Sequence, residues 1–463
     1  MAIGVRLAVL ALLGLIVSIS FAHTSTTSPV ARGLLVPDPT EDPFYQPPAG
    51  FEKEAPGTIL RNRTIVTALE GILPNPIKTY HLLYRTTGID GSPTAAVTTI
   101  FVPWKPRTDR FLSFQSAYNS VSIQCAPSYQ WRLGAPQGDF IANHQLPTTI
   151  FSYLLMDLIV SSPDYEGLDG AFIAGRLEAH AILDGMRAVT NFRDTLGLTT
   201  DNPKIIGDGY SAAGIATGWA AALQPSYAPE LNMKGWSAGG VPADLTSTII
   251  NIDDTFYSGF VPPMIAGLAK PTSYGKQLKP VIDNIFTPRG RELIEAANDK
   301  CPISELLTFF EMSITSTKFQ KLGPGIFQEP TFADILSHNT MGVVKSETPT
   351  APTFIYHGVK DEIFPYADVE ALTDSWCEKG AAVHFITYEN AGHVPLELIS
   401  LPDVFHFVNA AFEDKVDTNA CSRRTELRSK LDPRALVGNL GPFAEKVVDK
   451  ITHLGGGKSS LLF

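Results

Sequence analysis

From about residue 150 onward, short apolar runs of strand length alternate with segments of helical periodicity. Residues 157–161 and 204–207 are apolar strand candidates, and Ile182, Met186 and Val189 between them recur at the spacing of one helix face. Parallel strands need a crossover connection, so this alternation favours a mostly parallel β-sheet that is covered by helices on both faces. The expected fold class is therefore α/β.

Further segments fit the same sheet. An alanine-rich helix is expected over 215–223, and two apolar strands are expected over 353–357 and 384–388. Upstream, runs rich in β-branched and aromatic residues and bounded by Gly or Pro predict additional strands. These runs lie at 80–87, 96–102 and 111–114.

The alternation is lost between about residues 243 and 350. Apolar residues at helical spacing predict one amphipathic helix in this segment. They are Ile303, Leu306, Leu307, Phe310 and Ile314. The apolar residues 260–266 are expected to form a loop beside that helix. We interpret 243–350 as a helical cap or lid inserted into the α/β core; an ordinary second domain without a lid role is the alternative.

The first 22 residues have the features of a secretory signal peptide. Arg6 precedes an almost wholly apolar run at 7–21, and residues 20–22 read S-F-A, which resembles a small-x-small cleavage pattern. The run is short for a membrane span, which needs about 20 residues, and no later stretch is long and apolar enough to cross a bilayer. A retained signal anchor is the alternative. We expect a secreted, extracellular chain that starts near His23 and has no stable membrane span.

The expected organisation of the chain follows from these segments. It comprises a signal peptide at 1–22, an extended segment rich in Pro, Thr and Ser at 23–60, the first part of the core at 61–242, the cap at 243–350, the second part of the core at 351–425 and a tail at 426–463. No internal repeat is visible, and a monomer is expected.

Acidic residues outnumber basic ones, at 47 against 36, which gives a formal net charge of -11. A nucleic-acid-binding protein would show a basic face or stripe. The one short basic stretch, formed by Arg423, Arg424 and Arg428, is interpreted as a solvated face. Nucleic acid is therefore excluded as an expected partner.

The four cysteines are Cys125, Cys301, Cys377 and Cys421. An even number in an exported chain predicts two disulfides, and spacing alone leaves all three pairings open. None of the four stands in a C-x-x-C spacing, so no zinc or other metal site is expected. The sequon at Asn62 is expected to accept a glycan if its loop is exposed.

Two serines stand in motifs typical of a catalytic nucleophile. Residues 235–239 read G-W-S-A-G, which matches the G-x-S-x-G pattern, whereas residues 209–214 read G-Y-S-A-A-G and match it only nearly. We nevertheless assign the nucleophile to Ser211, because it follows an apolar strand and precedes a helix whose first N–H groups can stabilise an oxyanion. Ser237 precedes a Gly-Gly-Val-Pro run that does not start a helix.

An activated serine needs a base, and the base needs an orienting carboxylate. In α/β-hydrolases the chain order is serine, acid and then histidine. Asp361 follows the expected strand at 353–357 and His393 follows the one at 384–388, so they are the predicted acid and base. Glu362 is expected to point elsewhere, and His357 is assigned to a strand. This chemistry needs no metal or cofactor.

Several segments taken together resemble the fungal secretory lipases of the lipase A type, from about residue 40 to 425. The nucleophile segment is followed by S-Y-A-P-E-L-N at 226–232, and the acid lies in D-E-I-F-P-Y at 361–366. Residues 125–129 read C-A-P-S-Y, and D-Y-E-G at 164–167 precedes A-F-I-A-G at 171–175. The resemblance implies an α/β-hydrolase core with a helical lid and the hydrolysis of long-chain acylglycerols at an oil–water interface.

The resemblance also implies two details of the site. It pairs Cys125 with Cys301 and Cys377 with Cys421, and it assigns the oxyanion to the backbone N–H of Ala212 and to a residue in the loop before Cys125. The lipase A pattern carries an Asp there, but residues 117–120 read A-Y-N-S, which puts Asn119 in that place. An amide donates a hydrogen bond at any pH, whereas a carboxyl must first be protonated.

Three alternatives remain open on the sequence. The enzyme could be a short-chain carboxylesterase, since the fold does not determine the substrate. It could be another secreted serine hydrolase, such as a peptidase or a polysaccharide esterase. In a different class altogether, it could be an inactive homologue that acts as a binding protein.

Overall fold

The computed structural model of the chain describes residues 36–310 and 312–427. The predicted signal peptide at 1–22 and the predicted tail from the basic residue Arg428 onward lie outside the described residues. The predicted extended segment is described from residue 36, where short 3-10 turns at Pro43–Tyr45 and Phe51–Lys53 precede the first strand.

A ten-stranded sheet organises the described part of the chain. Its strands are β1 (Ile59–Ile65), β2 (Lys78–Thr87), β3 (Pro93–Val102), β4 (Arg110–Gln115), β5 (Ile159–Pro163), β6 (Lys204–Tyr210), β7 (Met233–Gly239), β8 (Thr353–Gly358), β9 (Val383–Tyr388) and β10 (Ser422–Glu426). They lie in the order β1-β2-β3-β5-β4-β6-β7-β8-β9-β10. Residues 68–69 and 73–74 form a separate small hairpin.

The sheet is antiparallel at one end and parallel elsewhere. Strands β1, β2, β3 and β5 pair antiparallel in that order, and every pair from β5 through β4 to β10 is parallel. The mostly parallel sheet flanked by helices confirms the predicted α/β class. Because parallel strands share one direction, the loops that follow β4, β6, β8 and β9 meet at one edge of the sheet.

Helices connect the strands from β4 to β7. They are α1 (Pro127–Gln130), α2 (Phe140–Gln145), α3 (Phe151–Leu155), α4 (Gly175–Asn191), α5 (Arg193–Leu196) and α6 (Ala212–Tyr227), with a 3-10 turn at Ile123–Cys125 and a π-helical turn at Leu146–Ile150. Helices α4 and α6 pack side by side, α4 also against β2 and α6 against β6 and β7.

The segment between β7 and β8 is helical. It contains α7 (Leu245–Ile252), α8 (Val261–Leu268), α9 (Gly275–Ile285), α10 (Pro288–Ala296), α11 (Pro302–Phe309) and α12 (Pro330–His338), with 3-10 turns at Phe256–Phe260, Ala297–Asp299 and Gly323–Gln328. The remaining helices are α13 (Tyr366–Glu378), α14 (His393–Ile399) and α15 (Leu401–Phe412), of which α15 packs against β6 and β7.

Two local expectations in this helical segment are wrong. Residues 260–266, predicted as a loop, belong largely to α8, because Pro262 and Pro263 occupy its first turn, where a missing N–H costs no hydrogen bond. The predicted amphipathic helix is too long. Phe310 adopts an extended conformation (ψ 150°) that ends α11, and the N–H of Ile314 instead donates to Asp253 at 2.7 Å.

Two disulfides join distant parts of the chain. Cys125, in the loop region after β4, is bonded to Cys301, the residue before α11, and Cys377 in α13 is bonded to Cys421 next to β10. This is the pairing that the family resemblance implies. The first disulfide attaches the helical segment to the core, and the second attaches the edge strand β10 to α13.

Candidate active site

Ser211 lies in a sharp turn between β6 and α6. Its backbone has φ 64° and ψ -129°, a conformation that is strained for a residue with a side chain. Small neighbours make the turn possible. A Cβ at Gly209 would overlap Thr217 and the backbone of Ala213, and a Cβ at Gly214 would come within 2.6 Å of the carbonyl of Gly239. Ala213 stands where the G-x-S-x-G pattern has its last glycine. Its methyl group is fully buried, so the turn accepts it, and the positions without room for a side chain are Gly209 and Gly214.

His393 connects the serine to the acid. Its Nε2 lies 2.8 Å from Ser211 Oγ, and its Nδ1 lies 2.7 Å from Asp361 Oδ2. Asp361 follows β8 and His393 follows β9, and these strands are parallel neighbours in register from 353 with 383 to 358 with 388. The structure therefore brings the three predicted residues together in the predicted chain order.

The side chain of Asp361 is fully buried. Burial by itself would raise its pKa, but the hydrogen bond and the positive potential of His393, with smaller contributions from His357 and the N–H of Phe364, lower the pKa instead. The Oδ1 atom accepts the N–H groups of Ile363 at 3.0 Å and Phe364 at 2.8 Å. Asp361 is therefore held as a carboxylate.

Aromatic side chains fix the imidazole of His393, which is only 4% exposed. The ring of Tyr210 stacks on it at 5.1 Å between centroids, and the ring of Phe364 meets it edge-on at 4.9 Å. The hydroxyl of Tyr210 also donates to the carbonyl of His393 at 2.6 Å. A Cβ at Gly240 would come within 2.9 Å of the imidazole, so this side of the ring tolerates only glycine.

Glu362 is a residue that sequence reasoning missed. The imidazole is bonded to Asp361 and not to Glu362, but Glu362 Oε2 accepts the backbone N–H of His393 at 2.9 Å. Its Oε1 accepts the hydroxyl of Tyr257 at 3.1 Å, from the helical segment between β7 and β8. Its place directly after the acid was the one signal available in the sequence.

The two candidate oxyanion donors lie at the same edge of the sheet as Ser211. Ala212 is the first residue of α6, and the N–H groups of a first helical turn have no partner within the helix. Asn119 lies in the loop after β4, which pairs with β6 up to Gln115 and Gly209. It adopts a left-handed backbone (φ 38°), it is 6% exposed, and its Oδ1 has no hydrogen-bond partner within the described part of the chain.

The other predicted residues lie elsewhere. Ser237 is fully buried within β7, where it pairs with Asp208 of β6, and it is not on a turn. Asn62 is exposed, but it lies in the edge strand β1 and not in a loop. Within residues 36–310 and 312–427, no helix is long and apolar enough to cross a membrane, and no group of His, Cys, Asp and Glu side chains there is arranged to hold a metal ion.

The chain is similar to known proteins in both sequence and fold. A family model described as "Secretory lipase" matches residues 142–420. The chain is 35% identical to the secreted triacylglycerol lipase LIP2 of Malassezia furfur over 99% of this chain and 98% of that protein. It is 38% identical to LIP4 of Malassezia globosa, also named a secreted triacylglycerol lipase, over 86% of each. The solved structure of Candida antarctica lipase A in its closed state superposes with a TM-score of 0.77 at 28% identity, covering 89% of this chain and 95% of that one.

Proposed function

The chain belongs to the secretory lipase family, and from this premise we propose that it is a secreted triacylglycerol lipase whose nucleophile is Ser211. One observation carries the proposal: a single imidazole lies 2.8 Å from a serine hydroxyl and 2.7 Å from a buried carboxylate. These contacts are those of an acyl-transfer triad. The names of the relatives support an acylglycerol substrate and an extracellular location.

Acylation begins when Ser211 Oγ attacks the carbonyl carbon of the ester. Its proton passes to His393 Nε2, and the carbonyl oxygen becomes the oxyanion of a tetrahedral intermediate. His393 then gives this proton to the oxygen of the leaving alcohol, the carbon–oxygen bond breaks, and the acyl group remains on Ser211. Asp361 holds the imidazole by Nδ1–H and stabilises its cation.

Deacylation repeats the same steps with water in place of the serine. His393 removes a proton from a water molecule that attacks the acyl carbon, and a second tetrahedral intermediate forms. The proton returns to Ser211 Oγ as the acyl–serine bond breaks, and the fatty acid is released. The triad is thereby restored without any change of redox state.

The oxyanion needs donors that are in place before the charge develops. The backbone N–H of Ala212 is one, because it is a free first-turn donor beside Ser211. The side-chain amide of Asn119 is the other in our proposal. Its buried position and its left-handed backbone, which is strained for a residue with a side chain, support a functional reason for its conformation.

We also propose that residues 243–350 form a cap that accommodates the acyl chain. The segment is attached to the core by the Cys125–Cys301 disulfide and, beside His393, by the contact from Tyr257 to Glu362. Exposed apolar side chains on and just after α11 support contact with an oily surface. They are Ile303, Leu307 and Phe310.

The test is hydrolysis of p-nitrophenyl esters of increasing chain length, and of emulsified triacylglycerol, by the purified secreted chain. Ser211→Ala is compared with Ser237→Ala, which removes the hydroxyl of the other motif. We expect activity on long-chain esters and on the emulsion, its loss in Ser211→Ala, and its retention in Ser237→Ala. Labelling with a fluorophosphonate should follow the same pattern.

Other outcomes would change the assignment. Activity confined to acetate and butyrate esters would leave Ser211 as nucleophile but make the enzyme a short-chain carboxylesterase. Activity that survives in Ser211→Ala would contradict the choice of serine. A folded wild-type chain that hydrolyses none of these esters and takes no label would favour a binding protein.

A further inference from the structure

His357 lies in β8, four residues before Asp361, with its side chain fully buried. Its Nε2 is 3.0 Å from the carbonyl oxygen of Phe364 and 3.4 Å from Asp361 Oδ2. It therefore lies against the same carboxylate oxygen, Asp361 Oδ2, that His393 contacts at 2.7 Å.

The partners of His357 determine which nitrogen carries its proton. A carbonyl oxygen can only accept a hydrogen bond, so the Nε2 that faces Phe364 must carry a hydrogen. Its Nδ1 is buried and has no hydrogen-bond partner among the residues that the structure describes. Burial lowers the pKa of His357. The ring is thus a neutral donor, with one N–H aimed between a carbonyl and a carboxylate.

The Nε2–H of His357 is one of several contacts that hold Asp361 and its turn in place. Within the turn from Asp361 to Phe364, the N–H of Phe364 donates to Asp361 Oδ1 at 2.8 Å. The carbonyl of Phe364 is in turn held by His357 on the strand. The Phe364 ring then packs edge-on against the imidazole of His393. His357 therefore contacts both the carboxylate and the residue that supports the catalytic histidine.

We propose that His357 is a positioning residue for ester hydrolysis, which acts through Asp361 by fixing the direction of its carboxylate. The inference rests on the proposed triad. Asp361 Oδ1 is held by two backbone N–H groups, and Oδ2 faces the N–H groups of two histidines. A carboxylate held in this way cannot rotate away from His393 Nδ1 when the imidazole takes the proton of Ser211.

The expected consequence is a change in turnover and not in substrate binding. The polar partners of His357 in the described part of the chain are Phe364 and Asp361, and not Ser211 or the oxyanion donors, so its loss should leave the substrate contacts intact. A small change in the orientation of the Asp361 carboxylate destabilises the transition state, because positive charge develops on His393 there. The kcat should fall while KM stays unchanged.

The experiment compares His357→Leu with His357→Gln. Leucine fills the space without a donor, whereas a glutamine amide can place an N–H near the position of Nε2. On a p-nitrophenyl ester, we expect kcat of His357→Leu to fall at least about tenfold with KM within about twofold, because catalytic geometry is lost. His357→Gln should recover most of the kcat. As a control, His384→Leu changes a histidine of the neighbouring strand β9 that bonds to Ser422 and Asp417, and it should leave kcat unchanged.

Titration with a fluorophosphonate counts the folded, competent sites and keeps a folding defect separate from the proposed effect. If His357→Leu does not fold, His357→Asn replaces it, because asparagine is polar but too short to reach the position of Nε2. The proposal is overturned if the variant without a donor keeps the wild-type kcat per titrated site, or if the glutamine variant loses as much kcat as that variant. A wrong nucleophile would appear separately, as activity that survives in Ser211→Ala.

Discussion

The carboxylate of Glu362 accepts the backbone N–H of His393 at 2.9 Å. The preceding residue, Asp361, accepts the Nδ1–H of the same histidine at 2.7 Å. Two consecutive carboxylates therefore hold His393, one by its backbone and the other by its ring. Because Tyr257 also donates to Glu362, Glu362 links the helical segment between β7 and β8 to the backbone of His393.

This contact predicts a graded effect of substitutions at Glu362. Glu362→Ala leaves the N–H of His393 without its acceptor, and we expect kcat to fall about fivefold, which corresponds to ~1 kcal/mol for one hydrogen bond. Glu362→Gln keeps an acceptor oxygen and should stay close to wild type. Tyr257→Phe removes only the hydrogen bond from the helical segment to Glu362. Because this contact is exposed, kcat should fall less than in Glu362→Ala. Equal kcat values for the alanine and glutamine variants would contradict this role.

Asn119→Ala should reduce kcat about a hundredfold, because losing one oxyanion donor costs about 3 kcal/mol in the transition state. KM should change little, since the donor acts on the charge that develops in the reaction. Asn119→Asp should be active only towards acid pH, where the carboxyl carries the proton that it must donate. Asn202→Ala, an exposed asparagine, serves as the control. Unchanged turnover in Asn119→Ala would rule out the side-chain donor.

The buried Glu166 predicts that stability depends on pH. Burial, together with the negative potentials of Glu178, Glu305 and Asp139, raises its pKa well above the ordinary value of 4.5, and neither of its oxygens has a hydrogen-bond partner in the described ranges. The folded state therefore binds this proton more tightly than the unfolded state. The contribution is fully present below about pH 4.5 and is lost as pH rises towards the folded-state pKa.

Glu166→Gln removes this titration while keeping the shape of the side chain. In denaturant unfolding, the free energy of unfolding of the variant should fall less steeply than that of the wild type between pH 4.5 and pH 8. Glu52→Gln, at an exposed position, should leave the wild-type slope unchanged. Parallel slopes for Glu166→Gln and wild type would mean that Glu166 is solvated or paired in solution.

Asn62 should carry a glycan when the chain is secreted from a eukaryotic host, because its side chain is exposed on an edge strand. Peptide N-glycosidase should lower the intact mass of the wild type by the mass of the glycan. Asn62→Gln and Thr64→Ala should both lack any glycan at this site, since each breaks the sequon. A peptide with unmodified Asn62 from the wild type would refute the prediction.

Much of the fold could be predicted, because its parallel strands are apolar on both faces. The expected strands at 353–357 and 384–388 differ from β8 and β9 by one residue at one end of each. Strand β7 was not predicted, because Gly235 and Gly239 lower its strand propensity. These glycines leave room for Phe407 and Tyr356, and such a packing requirement between distant residues is not visible in local sequence.

The candidate site was also predictable only in part. The positions of Ser211, Asp361 and His393 could be predicted because each lies in the turn or loop that follows a strand and they occur in a known chain order. The contacts of Glu362 and His357 could not, because they depend on how two loops fold back on the strand ends. The too-long helix over 303–314 failed for a related reason: apolar spacing continues past Phe309, but the backbone of Phe310 is extended.

Strands β7 and β8 are hydrogen-bonded neighbours, with Trp236 opposite Thr353, although residues 240–352 separate them along the chain. The helical segment therefore leaves the sheet after β7 and re-enters it at the neighbouring strand β8. Its length and sequence can vary there without changing the spacing between the acid and the base, which depends on β8 and β9. Under the proposed role of this segment as the acyl-chain cap, a chimaera that carries another relative's segment should take on that relative's chain-length profile while keeping its own triad.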